Sequence, residues 1–347
     1  MMLEAFKDLN ISIMISEIGS EFWIEHKLDD LYKERDGLYC LSGRTAIDLI
    51  LQDILSRKKV RSVYMPSWCC DSMIAPFIAR GVNVKFYDFG ETDGLDDIDV
   101  YYLTNYFGYE NTLDIEKVRK IKEKGAIILY DRTHSFLIED EKYREVSDYS
   151  FASIRKWMGV VSGAVIDGMS LTPVLKDCNY IIEKETAMRD KYRYLMGDKS
   201  VRKDNFLASF VEFGHKLSSD YCNFKMDDLS YTLYKLEDLQ IMKRRRKNNA
   251  SFIHQNLKGV EFLYELTPDA VPLFVPVLFK TKELRDYVRR KLIEKQIYCP
   301  VHWPIPAQIP SEYKVNNIVD REMSLICDQR YGLPQIKREI ETINELI

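Results

Sequence analysis

Two side chains that follow apolar runs have the right types for covalent and acid–base chemistry. Asp131 ends the run Ala126–Tyr130, and Lys156 follows the strand-like segment Tyr149–Arg155. A carboxylate at a strand end can keep a heterocyclic nitrogen protonated, because an opposite charge favours the charged form. A lysine placed between a strand and Gly159 can form a Schiff base if burial or nearby charge keeps its amine partly neutral. The alternatives are an aspartate that caps the next turn and a lysine that is a solvated surface group.

A small turn ahead of an apolar helix is a candidate anion site. The segment Ser42–Ala46 precedes the predicted helix Ile47–Leu55. Free backbone N–H groups and the positive end of the helix dipole favour a phosphate at such a turn. The alternative is an ordinary N-cap, in which a serine or threonine hydroxyl satisfies the first turn.

The order of these three features along the chain narrows the choice. A phosphate-binding turn, a strand-end aspartate and a lysine a short strand later are the three anchors that pyridoxal 5'-phosphate needs. A protein makes this cofactor an effective electron sink by holding its ring nitrogen protonated. The sequence therefore predicts pyridoxal phosphate, held through Lys156 and Asp131.

Composition excludes several other classes of protein. The 347 residues include 50 Lys plus Arg and 54 Asp plus Glu, and this balance offers no general attraction to nucleic acid or to an anionic membrane. The longest uncharged apolar run, Ala270–Phe279, contains two prolines and is too short to span a bilayer. Residues up to Ile18 show no sustained apolar stretch, so no secretory signal is expected. The 7 cysteines form no CxxC pair, which favours reduced thiols in a cytoplasm and no metal site.

The elements that would position these residues alternate between strand and helix. Strands are predicted over Val60–Met65, Val84–Asp88, Val100–Asn105, Ala126–Tyr130, Tyr149–Ile154 and Gly163–Ile166, and helices over Ser72–Ala79 and Ile115–Lys124. Continuous apolar strands separated by helices indicate an α/β fold with a mainly parallel sheet covered on both faces. Ligands bind beyond the carboxyl ends of such strands, where Asp131 and Lys156 lie.

The second half of the sequence predicts a smaller α+β domain. Leu171–Phe224 is helical in pattern, and one long helix is expected from about Asp228 to Leu257. The segments after it are strand-like Pro272–Phe279, helix-like Lys282–Lys295, strand-like Ile297–Val301 and a terminal helix near Ile336–Ile347. The predicted domains are residues 1–230, which bind the cofactor and include an N-terminal arm, and residues 231–347.

From about Cys40 to Tyr331 the chain resembles the DegT–StrS sugar aminotransferases, a branch of the aspartate-aminotransferase superfamily. The segment Ser42–Ile47 resembles the family's phosphate turn, and Asp131–Ser135 resembles its Asp-Ala-x-His/Gln-Ser motif. Asn223–Leu229 is similar to the segment whose asparagine reaches the neighbouring subunit's cofactor. The segments Pro300–Trp303 and Cys327–Tyr331 also resemble family landmarks.

The resemblance implies a role for each matching residue. It implies pyridoxal phosphate fold type I, with a Schiff base on Lys156, Asp131 on the ring nitrogen and His134 near the phenolic oxygen. The cofactor phosphate would be held by Gly43, Arg44 and Thr45, together with Ser150 or Ser153. Asn223 would cross to a partner, which makes a homodimer with shared active sites the smallest active unit.

Some positions depart from the family pattern or allow two interpretations. Val161–Ala164 replaces the usual Gly-Glu-Gly-Gly, and Arg132 replaces a small residue. Trp68 follows a strand in the loop from which the family stacks an aromatic on the cofactor, often two residues later, but it equally fits core packing. His302 and Trp303 could line the substrate pocket, but the flanking prolines favour a rigid structural loop. The basic run Lys243–Lys247 is interpreted as a solvated helix face.

These observations predict a cytoplasmic aminotransferase that acts on a small molecule. The resemblance implies transfer of an amino group from glutamate or glutamine to a nucleotide-linked keto sugar, for polysaccharide or amino-sugar biosynthesis. One alternative is a pyridoxal phosphate enzyme with another substrate, such as an amino or keto acid; the retained Lys156 disfavours the dehydratases of the family, in which histidine replaces it. Another is a catalytically silent dimeric homologue. Neither nucleic acid nor membrane is expected as a partner.

Overall fold

The computed structural model describes residues 16–24, 36–88, 98–109, 114–313 and 315–347. The strands in this part of the chain are β1 (Ile18–Gly19), β2 (Leu38–Cys40), β3 (Ser62–Pro66), β4 (Asn83–Tyr87), β5 (Val100–Thr104), β6 (Ile127–Asp131), β7 (Tyr149–Ser153), β8 (Ala164–Asp167), β9 (Glu261–Phe262), β10 (Val275–Leu278), β11 (Ile297–Tyr298) and β12 (Glu322–Leu325). The α-helices are α1 (Gly43–Arg57), α2 (Asp71–Ala79), α3 (Ile115–Glu123), α4 (Glu141–Val146), α5 (Ile181–Leu195), α6 (Lys203–Ser219), α7 (Asp228–Leu236), α8 (Leu239–Asn256), α9 (Lys282–Glu294), α10 (Val315–Arg321) and α11 (Leu333–Leu346).

The main sheet has seven strands in the order β2-β8-β7-β6-β5-β3-β4. Its strands β7, β6, β5, β3 and β4 pair in parallel, whereas β8 is antiparallel to both of its neighbours. The carboxyl ends of β5, β6 and β7 therefore lie along one edge of the sheet. The predicted mainly parallel sheet is confirmed, and each of its six predicted strands is observed with bounds that differ by one or two residues.

Both faces of this sheet are covered, which explains why its central strands are apolar throughout. Along β5, Tyr102 packs into a core that includes apolar residues of α1 and α2, such as Ile50. Its neighbours Tyr101 and Leu103 point the other way, into a second core with α3 and α4. Successive side chains of a strand alternate between faces, so a strand buried on both sides needs no polar alternation.

Another core, the C-terminal core, forms around short strands and the C-terminal helices. Strands β9, β10 and β12 form an antiparallel sheet, and β1 pairs in parallel with β11. Apolar residues of α8, α9 and α11 pack with them, and so do Ile18 and Trp23 from near the start of the chain. This confirms the α+β character predicted for the C-terminal half. The domain boundary after residue 230 remains a prediction, and it falls within α7.

The predicted long helix Asp228–Leu257 was wrong, because two helices, α7 and α8, occupy that segment. The break lies at Glu237 and Asp238, and the Asp238 carboxylate accepts hydrogen bonds from the N–H groups of Gln240 and Ile241. An aspartate in this position starts a new helix instead of continuing the old one. Apolar periodicity runs through such a break without revealing it.

Two general properties of the described residues bear on the earlier expectations. No helix in them combines the length and the apolar character needed to cross a bilayer. All seven cysteines lie in the described residues and are free thiols.

Candidate active site

A cavity opens at the carboxyl edge of the main sheet. Thr104, Asp131 and Ser153, the last residues of β5, β6 and β7, line it, and the amino end of α1 forms another wall. Of the predicted site residues, the cavity brings together Gly43, Arg44, Asp131, His134, Ser153 and Lys156. Trp303 and residues of α6, including Leu217, also line it.

At one end of the cavity, Asp131 is buried, and each of its two carboxylate oxygens accepts a hydrogen bond from a neighbouring residue. Its Oδ2 accepts a hydrogen bond from the Tyr102 hydroxyl (2.7 Å), and its Oδ1 accepts one from the Thr133 N–H (2.8 Å). Burial raises the pKa of Asp131, while these hydrogen bonds and the charge of Lys156 act in the opposite direction. The aspartate therefore caps the following turn and also faces the cavity, so its two predicted roles are compatible.

His134 lies beside Asp131 and is held as a neutral hydrogen-bond donor. Its Nδ1 accepts a hydrogen bond from the Phe107 N–H (3.2 Å), which places the ring proton on Nε2. Burial lowers the pKa of His134 well below its usual value, and the charges of Lys156 and His302 lower it further. A neutral imidazole with an Nε2–H suits the predicted contact with a phenolic oxygen.

The opposite end of the cavity is the turn that starts α1. Ser42 caps the helix through a hydrogen bond from the Thr45 N–H (3.2 Å), so the N-cap interpretation is also met. Gly43 packs against β7, and a Cβ there would approach the Ser153 Cβ to 3.4 Å. Thr45 is completely buried, bonds to Ser42 through its hydroxyl and is not among the residues that line the cavity.

Two arginines at this end have hydrogen-bonding groups without partners. The Nε atoms of Arg44 and Arg155 are both buried and have no hydrogen-bond partner among the described residues. Arg44 uses one other nitrogen, Nη1, to donate to the Leu217 carbonyl (2.8 Å). Burial lowers the pKa of both guanidinium groups. Because a buried donor without a hydrogen-bond partner is costly, the two Nε atoms suit a ligand with acceptor oxygens, such as a phosphate.

Lys156 lies between the two ends, on a short 3₁₀ turn directly after β7. Its side chain is exposed, and Nζ lies 6.0 Å from the centre of the Trp303 ring. The next residue, Trp157, is fully buried and donates from Nε1 to the Thr133 carbonyl (2.6 Å). The backbone is thus fixed immediately after a lysine whose own side chain is free to reach into the cavity.

The structure separates the two serines that the sequence left as alternatives. Ser153 lines the cavity, whereas Ser150 lies at the other end of β7 and donates to Asp167 Oδ2 (3.1 Å). Asn223 does not line the cavity of its own chain, and its Oδ1 accepts a hydrogen bond from Gln52 Nε2 (2.8 Å). Its predicted place in a partner's site stays a prediction.

The tryptophan that lines the cavity is Trp303 and not Trp68, which lies in the loop after β3. Trp68 does not line the cavity; it stacks on Tyr106 with ring centres 5.0 Å apart, and Cys70 stands at the cavity wall instead. Trp303, which the sequence interpretation treated as structural, lines the cavity. The prolines around Trp303 favoured a structural loop over the pocket, and the structure shows the pocket-lining alternative for Trp303.

The basic run Lys243–Lys247 is not uniformly solvated, which corrects the interpretation of this helix. Arg246 is completely buried and donates hydrogen bonds to the carbonyls of Pro272 and Leu273 (3.1 and 3.0 Å). Its Nη2 also donates to the Trp157 carbonyl (3.4 Å), directly behind Lys156. A run of like residues on a helix includes an inward-facing position, and the sequence does not reveal which one finds carbonyl partners.

The comparisons with known proteins agree with this geometry. The model of the DegT/DnrJ/EryC1/StrS aminotransferase family matches residues 190–326. The comparison with curated protein sequences gives no match.

Several solved structures share the fold. NtdA from Bacillus subtilis, crystallised with bound cofactor PMP, aligns with a TM-score of 0.63 and 16% identity over 90% of this chain and 73% of that chain. TlmJ, an aminotransferase from Streptoalloteichus hindustanus, has a TM-score of 0.63 and 14% identity over 89% of this chain and 85% of its own. DesI, crystallised with its TDP-sugar product, has a TM-score of 0.62 and 14% identity over 91% of this chain and 81% of its own.

The matching family model is that of an aminotransferase family, which agrees with the enzyme class that the motifs predict. The PMP in the NtdA structure agrees with the predicted cofactor. The family match over residues 190–326 and the shared fold agree with the predicted resemblance to the DegT–StrS aminotransferases, and the chain has the fold of the solved aminotransferase structures.

Proposed function

We propose that this chain transfers an amino group from glutamate or glutamine to a keto sugar carried on a nucleotide. The observation that carries the proposal is a single cavity that joins Lys156, Asp131 and two arginines with unpartnered Nε atoms. The TDP-sugar product bound to DesI supports a nucleotide-linked acceptor. The product would serve polysaccharide or amino-sugar biosynthesis in the cytoplasm.

The residues of the cavity fit pyridoxal phosphate at both ends. Asp131 would hold the ring nitrogen, and Lys156 would hold the aldehyde carbon. The unpartnered Nε atoms of Arg44 and Arg155 supply donors for the phosphate, beside the α1 turn. A phosphate monoester carries a charge of roughly −2 at pH 7, which two guanidinium groups balance.

The proposed mechanism divides the work among these side chains. When bound, the cofactor supplies an electron-withdrawing ring that stabilises negative charge on the carbon losing its proton. Asp131 keeps the ring nitrogen protonated, and the new positive charge relieves the cost of burying its carboxylate. Lys156, on its short turn, takes the proton at Nζ and returns it as general base and then general acid. His134 donates its Nε2–H to the phenolic oxygen.

Assembly as a homodimer with shared sites is part of this proposal. Asn223 does not line the cavity of its own chain, which supports the role in a partner's site that the family resemblance implies. Light scattering on the purified protein should give the mass of a dimer. Asn223→Ala should weaken cofactor binding without changing that mass, and a fully active monomer would exclude shared sites.

The cofactor part of the proposal is tested by absorbance and covalent labelling. The protein with added pyridoxal phosphate should be yellow, its spectrum should shift with glutamate, and borohydride should fix a pyridoxyl group on Lys156, as read by peptide mass spectrometry. Lys156→Ala is the control and should carry no label. A colourless protein that takes up no cofactor would instead support the catalytically silent homologue.

The substrate part is tested separately, on unreduced protein to which pyridoxal phosphate has been added. A panel of nucleotide keto-sugars with glutamate or glutamine should yield an amino sugar, detected by mass spectrometry. Turnover of a simple keto acid with no amino sugar from any panel member would show that the acceptor class is wrong.

A further inference from the structure

A second polar cluster lies next to the cavity and is not used by the proposed mechanism. Glu322 and Ser324 are completely buried on strand β12, two residues apart and therefore on the same face of the strand. His302, in the loop before Trp303, joins them. Buried polar groups are retained only where each is hydrogen-bonded, so their partners define what the cluster does.

The three residues form a continuous hydrogen-bonded chain. Ser324 Oγ donates to Glu322 Oε1 (2.5 Å), and His302 Nδ1 lies 2.9 Å from the same Oγ. The backbone N–H of His302 donates to the other carboxylate oxygen, Oε2 (2.7 Å). One carboxylate therefore fixes both the side chain and the main chain of His302, directly or through Ser324.

Counting protons along this chain gives two states. An ionised Glu322 only accepts, so Ser324 gives its single proton to Glu322, and Nδ1 of a neutral His302 must donate to Ser324. Nε2 then carries a lone pair and is an acceptor. If Nε2 takes up a proton, the Nδ1 proton passes to Ser324 and the serine proton passes to Glu322. His302 is neutral again, but its proton is on Nε2, which is now a donor.

The charges around the cluster decide which member titrates. Burial and the charge of Lys156 lower the pKa of His302 to about 3, so the imidazole stays neutral. Burial raises the pKa of Glu322 to about 7, although its hydrogen bonds and the charge of Arg285 on α9 lower it in part. The other titratable groups that face the cluster are His134 and Tyr264, and the pKa of Tyr264 is raised by burial and further by the charge of Glu322.

The ring of His302 is not itself among the residues that line the cavity, but it packs against two residues that are. It packs edge-on to Phe107 with ring centres 5.4 Å apart and lies 5.0 Å from the Phe274 ring. On the cavity side its centre lies 6.3 Å from His134 and 5.3 Å from Trp303, both of which line the cavity. The neighbouring aromatic rings hold the imidazole in place, and the relay determines whether its Nε2 accepts or donates a hydrogen bond.

We propose that Glu322, Ser324 and His302 form a proton relay that sets the hydrogen-bonding polarity of His302 Nε2 towards the substrate. With Glu322 ionised, Nε2 accepts a hydrogen bond from a substrate hydroxyl; with Glu322 protonated, Nε2 donates and disfavours that hydroxyl. His302 is thus a specificity-determining residue, and Glu322 and Ser324 are positioning residues. The choice of a hydroxyl-bearing ligand rests on the proposed sugar substrate, whereas the relay itself does not.

The relay is tested on the full-length protein without substrate, by 15N NMR of labelled histidine. There are 5 histidines, and His302→Gln identifies the His302 signals. As pH falls from about 8.5 to 5.5, Nε2 should change from the acceptor form to the protonated form with a midpoint near 7, the pKa of Glu322. An Nε2 signal that does not change over this range would overturn the relay.

Two variants separate the relay from a merely structural effect. Glu322→Gln resembles the protonated state, because its carbonyl accepts from the His302 N–H and its amide donates to Ser324; Nε2 should stay protonated at every pH. Ser324→Ala keeps Glu322 but cuts the connection, so Nε2 should no longer follow pH in this range. If Glu322→Gln does not fold, Ser324→Ala alone still tests the relay.

The substrate part of the inference has its own readout. For a nucleotide keto-sugar that the protein turns over, KM should rise about tenfold between pH 8 and pH 6, and this rise should be absent in Glu322→Gln. A tautomer change in the NMR spectra with a KM that is independent of pH would leave the relay in place and exclude the hydroxyl contact. Failure of the sugar panel itself would overturn the proposed function without touching the NMR result.

Discussion

The two ends of the cavity satisfy their charges in opposite ways. Asp131 receives hydrogen bonds from Tyr102 and Thr133, so its carboxylate is oriented by the protein alone. Arg44 and Arg155 keep buried Nε atoms without partners among the described residues. The Asp131 carboxylate is oriented before a ligand binds, whereas the Nε donors of the two arginines have no partner in the described part of the chain to orient them.

This difference predicts that one end of the cavity affects mainly the rate of the reaction and the other mainly the affinity for the cofactor. A group that is already oriented costs no reorganisation during the reaction, so the Asp131 end should contribute mainly to the rate. Guanidinium groups that gain their partners on binding should contribute mainly to cofactor affinity. Substitutions at the two ends should therefore separate the two quantities.

The largest effect is expected at the preorganised end. Asp131→Asn should lower the rate at saturating cofactor by roughly a thousandfold, because a neutral amide does not hold the ring nitrogen protonated. Cofactor affinity, measured by absorbance titration, should change much less. The matched control is Asp148→Asn, which changes a carboxylate at the opposite edge of the sheet and should leave the rate unchanged. A loss of affinity without a loss of rate in Asp131→Asn would reverse the comparison.

A smaller effect, on affinity, is expected at the arginine end. Arg155→Gln should weaken binding of pyridoxal phosphate by about 10- to 100-fold, the range for losing hydrogen bonds to a charged group. The rate at saturating cofactor should stay within a few fold of the original. Arg144→Gln, a change of a half-exposed arginine far from the cavity, is the control.

The variant Arg155→Gln also tests whether this arginine contacts the phosphate of the cofactor. Pyridoxal, which lacks the phosphate, should bind Arg155→Gln and the unchanged protein with similar affinity. If both ligands lose affinity equally, Arg155 does not contact the phosphate.

The smallest effect distinguishes two serines on one strand. Ser153→Ala should weaken cofactor binding by about fivefold, the loss expected for one neutral hydrogen bond, and Ser150→Ala should have no effect. Absorbance titrations of the two variants provide the measurement, and each serves as the control for the other. An effect at Ser150 instead would place the phosphate away from the α1 turn.

Much of the fold follows from local patterns in the sequence. Apolar runs separated by amphipathic ones revealed the strands of the main sheet, since a strand buried on both faces leaves a continuous apolar signal. The short strands β1, β9 and β11 have two residues each, and no periodicity is readable at that length. The break between α7 and α8 was missed because apolar residues recur on both sides of Asp238, and that pattern does not reveal its capping role.

The candidate site was predictable only where residues lie at strand ends. Asp131 and Lys156 follow apolar runs, and both line the cavity. Arg155 adjoins Lys156 but carried no signal, because the unpartnered state of its Nε depends on residues distant in sequence. The Glu322 relay was missed for the same reason, since β12 and the His302 loop are distant in sequence from Asp131 and Lys156. Trp303 was considered for the pocket, but the flanking prolines were given more weight.

Strand β1 ties the start of the described chain to its end, with a consequence for how the molecule is made. Gly19 donates its N–H to the Tyr331 hydroxyl across 312 residues (2.9 Å), and its positive φ and contact with the Tyr298 carbonyl leave no room for a Cβ. Contacts so distant in sequence close late, because the loop entropy must be overcome first. During synthesis on the ribosome, the core that contains Ile18 and Trp23 stays open until residues as far as Tyr331 have emerged, and both side chains remain exposed until then.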